Sequence, residues 1–468
     1  MVAKNTKKNI SLFEDIDKVE LQEVINFIDS YWDRIIHNPQ DSMGNPHIIP
    51  LPNPYITTNV AKDSHWEGAM FYWDTFFMFR GIVGTKRDWL LPKMVENYIY
   101  LLTEFGIIPN ANKWAFLDRS QPPFLSSMIF DAYYSVVRAT SLKKTLKKSY
   151  IKPWLKRRIE VAKKEYWNVW EDTDYYHHKV QKYGLSRYGD RDVGYGLSSE
   201  LESGWDLTSR FYNRCNDFLP VDLNSYLHKY EKDFAKAAFI LGNEKDVKFW
   251  NDRAKERHEK MRKLMWNEKE GFFFDYDYRN DLQSEFYSLA GFVPMWAKMA
   301  SYDEAKRMVK KLHLFESDYG LTITSKASLP PKLNFSNIPP AYRVSIENIL
   351  KPKQWDYPHI WPPLEYLTVI GLLRYGFVDD AVRIMKKSVK ANMAVFKKYG
   401  ALLEKIDAKT GEKPETFWYA AQLGFGWTNG VFFRYVKLLE LIDSKQGDIY
   451  NGQKDLKEPP YNLNGIIH

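Results

Sequence analysis

This chain of 468 residues has a single cysteine, Cys215, so no disulfide can form within it. That excludes a disulfide-stapled scaffold and fits a reducing compartment. No run of about 18 apolar residues occurs, which excludes a membrane-spanning helix of ordinary length. The opening residues, MVAKNTKKNISLFEDIDKV, lack the apolar stretch of a secretory signal, so a cytoplasmic protein is expected. Excess charge is also small: 67 Lys and Arg against 59 Asp and Glu leave +8. The one dense basic run, LKKTLKKSYIKPWLKRRIEVAKKEYW (142–167), reads as exposed faces of surface helices, and no nucleic-acid partner is expected. Ten histidines include only His177 and His178 as a close pair, without a set of cysteines or spaced carboxylates beside them. No metal, and no phosphate-binding glycine loop, is therefore expected, and no cofactor.

Aromatic side chains are plentiful, with 16 Trp, 31 Tyr and 28 Phe. They fill cores, and they also line clefts where sugar C–H faces stack on rings. Apolar residues recur every three or four positions in at least nine segments, among them 21–36, 90–106, 225–242, 247–266, 284–300, 364–376 and 379–400. Gly, Asn and Pro clusters separate them, and no series of alternating strands emerges. The expectation is an all-α chain of successive helical hairpins closing into a toroid, one domain over residues 21–445 between short tails at 1–20 and 446–468. A proline-rich stretch at 322–356 breaks the periodicity and reads as a lid, a binding loop or a disordered segment.

Where helices start or end, tryptophan repeatedly stands beside an acid or amide with Gly or Pro nearby. The segments are MFYWDTFF (70–77), IPNANKWAFLDRSQPPF (108–124), SELESGWDLTSRF (199–211), KQWDYPHIWPP (353–363) and LGFGWTNG (423–430). In a helical toroid such loops converge at one mouth, and aromatics with carboxylates, amides and an arginine describe a carbohydrate site. Asp206 follows Gly204 and Trp205, and an apolar wall raises a carboxyl pKa, as a general acid needs. Its alternative reading is the N-cap of a helix starting in LTSRFYN.

These segments resemble, in order, motifs of the trehalase family of inverting α-glycosidases. IPNANKWAFLDRSQPPF is similar to the family's IPNGNR followed by SRSQPPF, and ESGWDLTSR to its ESGWDFSSR. QWDYPHIWPP follows its QWD-P-N-G-W-x-P element, and GFGWTNG is identical to its closing motif. The resemblance covers residues 50–435 and implies an (α/α)6 barrel that releases glucose from trehalose. It further implies Asp206 as general acid and Glu404, in LLEKIDAKTGEKPE, as general base, with Glu412 and Glu415 competing for the second role. Trp73, Asp74, Asn110, Arg119, Gln121, Trp355 and Trp427 fall on sugar-binding positions, Asp74 as a charged acceptor for hydroxyls. Arg119 has a plainer reading as a surface partner of Asp118 or Glu104.

Three positions depart from the family pattern. Trp66 stands at a family arginine, Trp418 at a family glutamate, and Arg187 substitutes for an arginine whose following glutamate is missing. The acid and base survive these losses, while recognition of the second sugar is open. α-Glucosylglycerate and α-mannosylglycerate are therefore alternative substrates, with Arg119, Arg187 or Arg191 suited to the anionic leaving group. A sugar-binding relative without turnover is the alternative of another class.

Overall fold

Burial sorts the helices into two layers. Our computed structural model describes residues 11–42, 44–60, 67–139, 144–189, 196–329, 352–416 and 419–444. Twelve of its helices alternate along the chain. The odd-numbered ones are α1 (Lys18–Ile35), α3 (Leu90–Phe105), α5 (Lys144–Glu165), α7 (Glu244–Met265), α9 (Tyr302–Val309) and α11 (Val378–Tyr399). The even-numbered ones are α2 (Tyr72–Phe79), α4 (Leu125–Ala139), α6 (Val221–Leu241), α8 (Val293–Trp296), α10 (Pro362–Arg374) and α12 (Gly426–Ser444). α2 buries all eight of its residues, and α10 buries every residue but its last. α7 buries only five of 22, as a helix with one face on the core and the other in water should.

Each even helix touches the next, α2 to α4, α6, α8, α10, α12 and back to α2, which closes an inner ring of six. The odd helices wrap it, and the result is the expected (α/α)6 barrel. α2 and α12 approach closely because Gly430 has no side chain: a Cβ there would lie 2.4 Å from the Phe77 carbonyl. Among the described residues, strands are two residues long and tie loops together, in four pairs such as His359–Ile360 against Ile406–Asp407 and one three-stranded sheet of Phe218–Leu219, Tyr276–Asp277 and Leu282–Gln283. Within the basic run, Lys144–Glu165 folds as α5, a surface helix as expected. Residues 284–300 do not form the expected long helix. Ser288 is extended and a short 3-10 turn at Leu289–Phe292 precedes α8, with Gly291 pressed against Phe272 and Phe273. Much of the proline-rich stretch lies outside the described residues.

The loops entering α2, α4, α6, α10 and α12 meet at one mouth, so the N-terminal ends of these inner helices, with their positive dipole ends, face it. Their other ends collect cations. Arg80 lies six residues past Asp74, about 9 Å along α2, and pairs with the buried Asp131 of α4. Arg374 donates to the Trp296 carbonyl at the end of α8, and Arg434 sits within electrostatic reach of Arg80 and Asp131. Arg80 and Arg374, at the C-terminal ends of α2 and α10, offset the carbonyl charge there.

Candidate active site

The mouth is assembled by backbone pairing between distant segments. Phe71 bridges Ala111, and Tyr72 N–H donates to the Asn110 carbonyl at 3.0 Å, which seats the IPNAN loop against the start of α2. Trp73 N–H donates to Gln121 Oε1 at 3.1 Å, and Asn110 Nδ2 to the Leu201 carbonyl at 3.1 Å. Leu403 bridges Leu423, and Glu404 N–H donates to the Gln422 carbonyl at 2.8 Å. Trp427 Nε1 closes the loop by donating to the Glu404 carbonyl at 2.9 Å.

Five tryptophans form the wall. Trp73 packs on Trp355 with ring centroids 5.5 Å apart, Trp355 on Trp205 at 5.7 Å, and Trp355 stacks on Trp361 at 3.9 Å. Trp427 meets Trp73, Trp355 and Trp361 edge-on. All but Trp361 are among the residues that the sequence singles out. They are buried against one another, so they serve as a rigid wall more than as open stacking platforms. Gly204 belongs to this wall. Its φ is +73°, and a Cβ would lie 2.7 Å from the Trp73 indole. Gly204→Ala is expected to destabilise the protein by about 1–3 kcal/mol and to lower activity by displacing Trp73, as thermal melting and kcat would show.

The three acids of SELESGWD have separate tasks. Glu202 is a bolt: its Oε1 accepts from Ser120 N–H at 3.0 Å, and its Oε2 from Gly189 N–H at 2.7 Å and His178 Nε2 at 2.8 Å. Burial alone lowers the His178 pKa, but Glu202 reverses this and raises it, which favours the protonated imidazole against the carboxylate. Glu200 Oε2 accepts from Thr208 N–H at 3.3 Å, and desolvation raises its pKa to about 7. Asp206, half-buried, is pushed up to about 7 by desolvation first and by the nearby Glu404 second, against the opposing pull of Lys405 and Arg119. The N-cap reading of Asp206 does not hold, because Leu207 is left-handed at φ +59° and a turn follows. That turn is pinned by Trp355 N–H on the Leu207 carbonyl at 3.2 Å and by Asp356 Oδ1 accepting from Ser209 N–H at 2.9 Å.

Glu404 is 2% exposed, whereas Glu412 and Glu415 are on the surface and Glu412 pairs with Lys398. Of the three competing glutamates, only Glu404 is in the mouth. Tyr419 donates its hydroxyl to Glu404 Oε1 at 3.1 Å, and Lys405 Nζ donates to Oε2 at 3.1 Å. Tyr419 has no motif in the sequence to mark it. Asp74, in the first turn of α2, is raised well above the usual carboxyl range by desolvation, then by Glu404 and Asp206. The sequence reading makes Asp74 a charged acceptor. Burial and the two neighbouring carboxyls favour its neutral form, which offers hydroxyls one donor besides its acceptors.

Arg119 forms an ion pair with Asp118 at 2.5 Å, in keeping with its plainer reading, and still acts on Asp206. Arg187 stands apart from this cluster: its Nε donates to the His177 carbonyl at 3.0 Å and its Nη1 to the Asn216 carbonyl at 2.7 Å. Trp66, Arg191 and Trp418 lie outside the described residues. Among the described residues no group of three or more His, Cys, Asp or Glu is placed to hold a metal. No described helix is long and apolar enough to cross a membrane.

Six inner and six outer helices, with a tryptophan-walled mouth holding three mutually coupled carboxyls, define an (α/α)6 barrel protein with an acidic pocket. The family model described as Trehalase matches residues 1–441. The chain belongs to the trehalase family. It is 28% identical over 451 residues to a cytosolic neutral trehalase of Beauveria bassiana (strain ARSEF 2860), covering 80% of this chain and 57% of that one. It thus spans little more than half the length of that relative. The solved structure of neutral trehalase Nth1 from Saccharomyces cerevisiae superposes with a TM-score of 0.69 at 25% identity, over 85% of this chain and 75% of that one. A GH63 mannosylglycerate hydrolase from Thermus thermophilus in complex with glucose shares the fold, with a TM-score of 0.61 at 14% identity over 88% of this chain and all of that one.

Proposed function

We infer that this chain hydrolyses α,α-trehalose with inversion, Asp206 protonating the glycosidic oxygen and Glu404 activating water on the opposite face. The observation that carries this reading is the contrast between two coupled carboxyls in one pocket. Asp206 is held protonated to about pH 7 by desolvation and Glu404, while Glu404 is gripped by an ammonium and a phenol. Inverting hydrolysis needs that division of labour. Trp73, Asp74, Asn110, Gln121, Trp355 and Trp427 shape the sugar pocket, and Arg119 lies on the acid's side of it. The name of the fungal relative supports a cytoplasmic location, as does the single cysteine.

Proton NMR of the protein mixed with trehalose tests this directly. β-Glucose appearing alongside α-glucose ahead of mutarotation is the expected result. Unchanged trehalose over hours, with glucosylglycerate or mannosylglycerate consumed instead, would transfer the assignment to those substrates. The pH profile gives a second check. Asp206 must be protonated to act, so kcat/KM is expected to fall above about pH 7, where its folded-state pKa lies.

A further inference from the structure

We propose that Lys405 and Tyr419 are positioning residues that clamp Glu404, one on each carboxylate oxygen, and fix which of the two coupled carboxyls carries the proton. The proposal rests on the reading of Glu404 as the base. Lys405 Nζ holds Oε2 and the Tyr419 hydroxyl holds Oε1, both at 3.1 Å. Each carboxylate oxygen has two acceptor sites, so each keeps one for a water molecule. With both oxygens tethered, the carboxylate plane cannot rotate, and the water it activates is aimed along a fixed direction.

Lys405 is itself placed with care. Its side chain is fully buried, and among the described residues Glu404 is the only acid within ion-pair distance of it. Its ammonium lies 4.3 Å from the Trp361 ring centroid and 4.2 Å from that of Tyr419. Ring faces stabilise a cation without neutralising it. Tyr419 thus acts twice, as hydrogen-bond donor to the base and as a wall for the ammonium. The Gln354 Nε2 donates to the Tyr419 carbonyl at 3.2 Å, which ties this residue to the QWD loop that pins the acid turn.

Charged and titratable groups face Glu404 from every segment packed against it. Lys405 faces it from its own segment, Asp206 from the acid loop, Asp74 from α2, and Tyr419 from the following loop. His359, from the paired strand, is lowered to about 4 by burial and by Lys405, so it stays neutral in the working range. Arg119 acts on Asp206 from the RSQPP loop. Glu404 raises the Asp206 pKa, while Lys405, bonded directly to Glu404, opposes that rise, so the clamp bears on where the proton sits.

Two variants and one cycle test the clamp. Lys405→Met is expected to lower kcat about 100-fold with little change in KM, and to move the alkaline limb of the kcat/KM profile to higher pH. That limb moves because Lys405 opposes the rise of the Asp206 pKa. Tyr419→Phe, which removes a neutral donor, is expected to lower kcat about 10-fold and to leave the alkaline limb in place. A folded Lys405→Met with wild-type kcat and profile would overturn the proposal, as would a Tyr419→Phe with wild-type kcat. The stability cycle needs no turnover. Lys405→Met is expected to lower the melting temperature at pH 7, and adding Glu404→Gln to recover most of that loss, because no charge is then left orphaned. Recovery of nothing would overturn the clamp even in a protein inactive on trehalose, whereas inactivity of the wild type alone bears on the substrate and not on the clamp.

Discussion

Asp206→Asn is expected to lower kcat on trehalose about 1,000-fold while raising thermal stability above pH 7. Both effects come from the same carboxyl. Glucose is a poor leaving group until its oxygen is protonated, and the amide has no proton of suitable acidity to give. A glucosyl donor whose leaving group departs without a proton, α-glucosyl fluoride, should therefore retain far more activity in this variant than trehalose does. The stability effect follows from linkage. The Asp206 pKa is raised from 3.8 to about 7 on folding, so its contribution to stability is fully present below about pH 4 and is lost as pH rises to 7. Asparagine removes that loss. The variant's gain in melting temperature should be absent near pH 4, grow between pH 4 and 7 and level off above. A gain of equal size at all pH values would mean that relieved packing, not the buried charge, is responsible.

The motif-bearing loops were legible because ring closure brings the N-terminal ends of the inner helices to one mouth. Trp73, Gln121, Asp206, Trp355 and Glu404 lie far apart in sequence, yet each precedes or opens one of those helices or a loop leading to it. Helix α2 itself escapes a periodicity search for the same reason that it matters. MFYWDTFFMF is buried on every side, and a helix without a wet face has no 3.6-residue pattern to show. The indole-wall account of Asp206 captured the direction of its pKa and missed part of the cause. Desolvation is the larger contribution, but the second is Glu404, almost two hundred positions away, which only the fold brings near. The clamp was similarly hidden. Lys405 is adjacent to Glu404 in sequence, while Tyr419 reaches it through a returning loop closed by the bridge between Leu403 and Leu423. Arg187 shows the converse error. It lies only 19 positions before Asp206, but its side chain serves the carbonyls of His177 and Asn216 instead.

Arg210→Met is expected to cost about 3–5 kcal/mol of stability and most of the activity, although Arg210 touches none of the proposed reacting groups. The guanidinium is wholly buried between Asp222 and Asp275, with Nη1 and Nη2 on Asp222 at 2.8 and 2.9 Å and Nε and Nη2 on Asp275 at 2.8 and 2.7 Å. Two carboxylates against one cation leave a net negative charge. Asp222 lies in the first turn of α6, and Asp275 accepts from Val221 N–H at 2.9 Å, so the positive end of that helix supplies the remainder. The same guanidinium lies 4.5 Å from the Trp205 ring, on the acid's own loop. Methionine matches the stem but leaves both aspartates buried and uncompensated, and the loop carrying Asp206 loses its anchor on α6. Lysine would not rescue it, because one ammonium cannot span two carboxylates in forked geometry. Neutralising the aspartates as well, in an Arg210→Met, Asp222→Asn, Asp275→Asn variant, should return part of the stability in urea unfolding and little of the activity. Stability and activity returning together would show that the triad matters only to folding. Their separation would show that this buried charge cluster, set behind the tryptophan wall, holds the proposed acid in place as well as stabilising the fold.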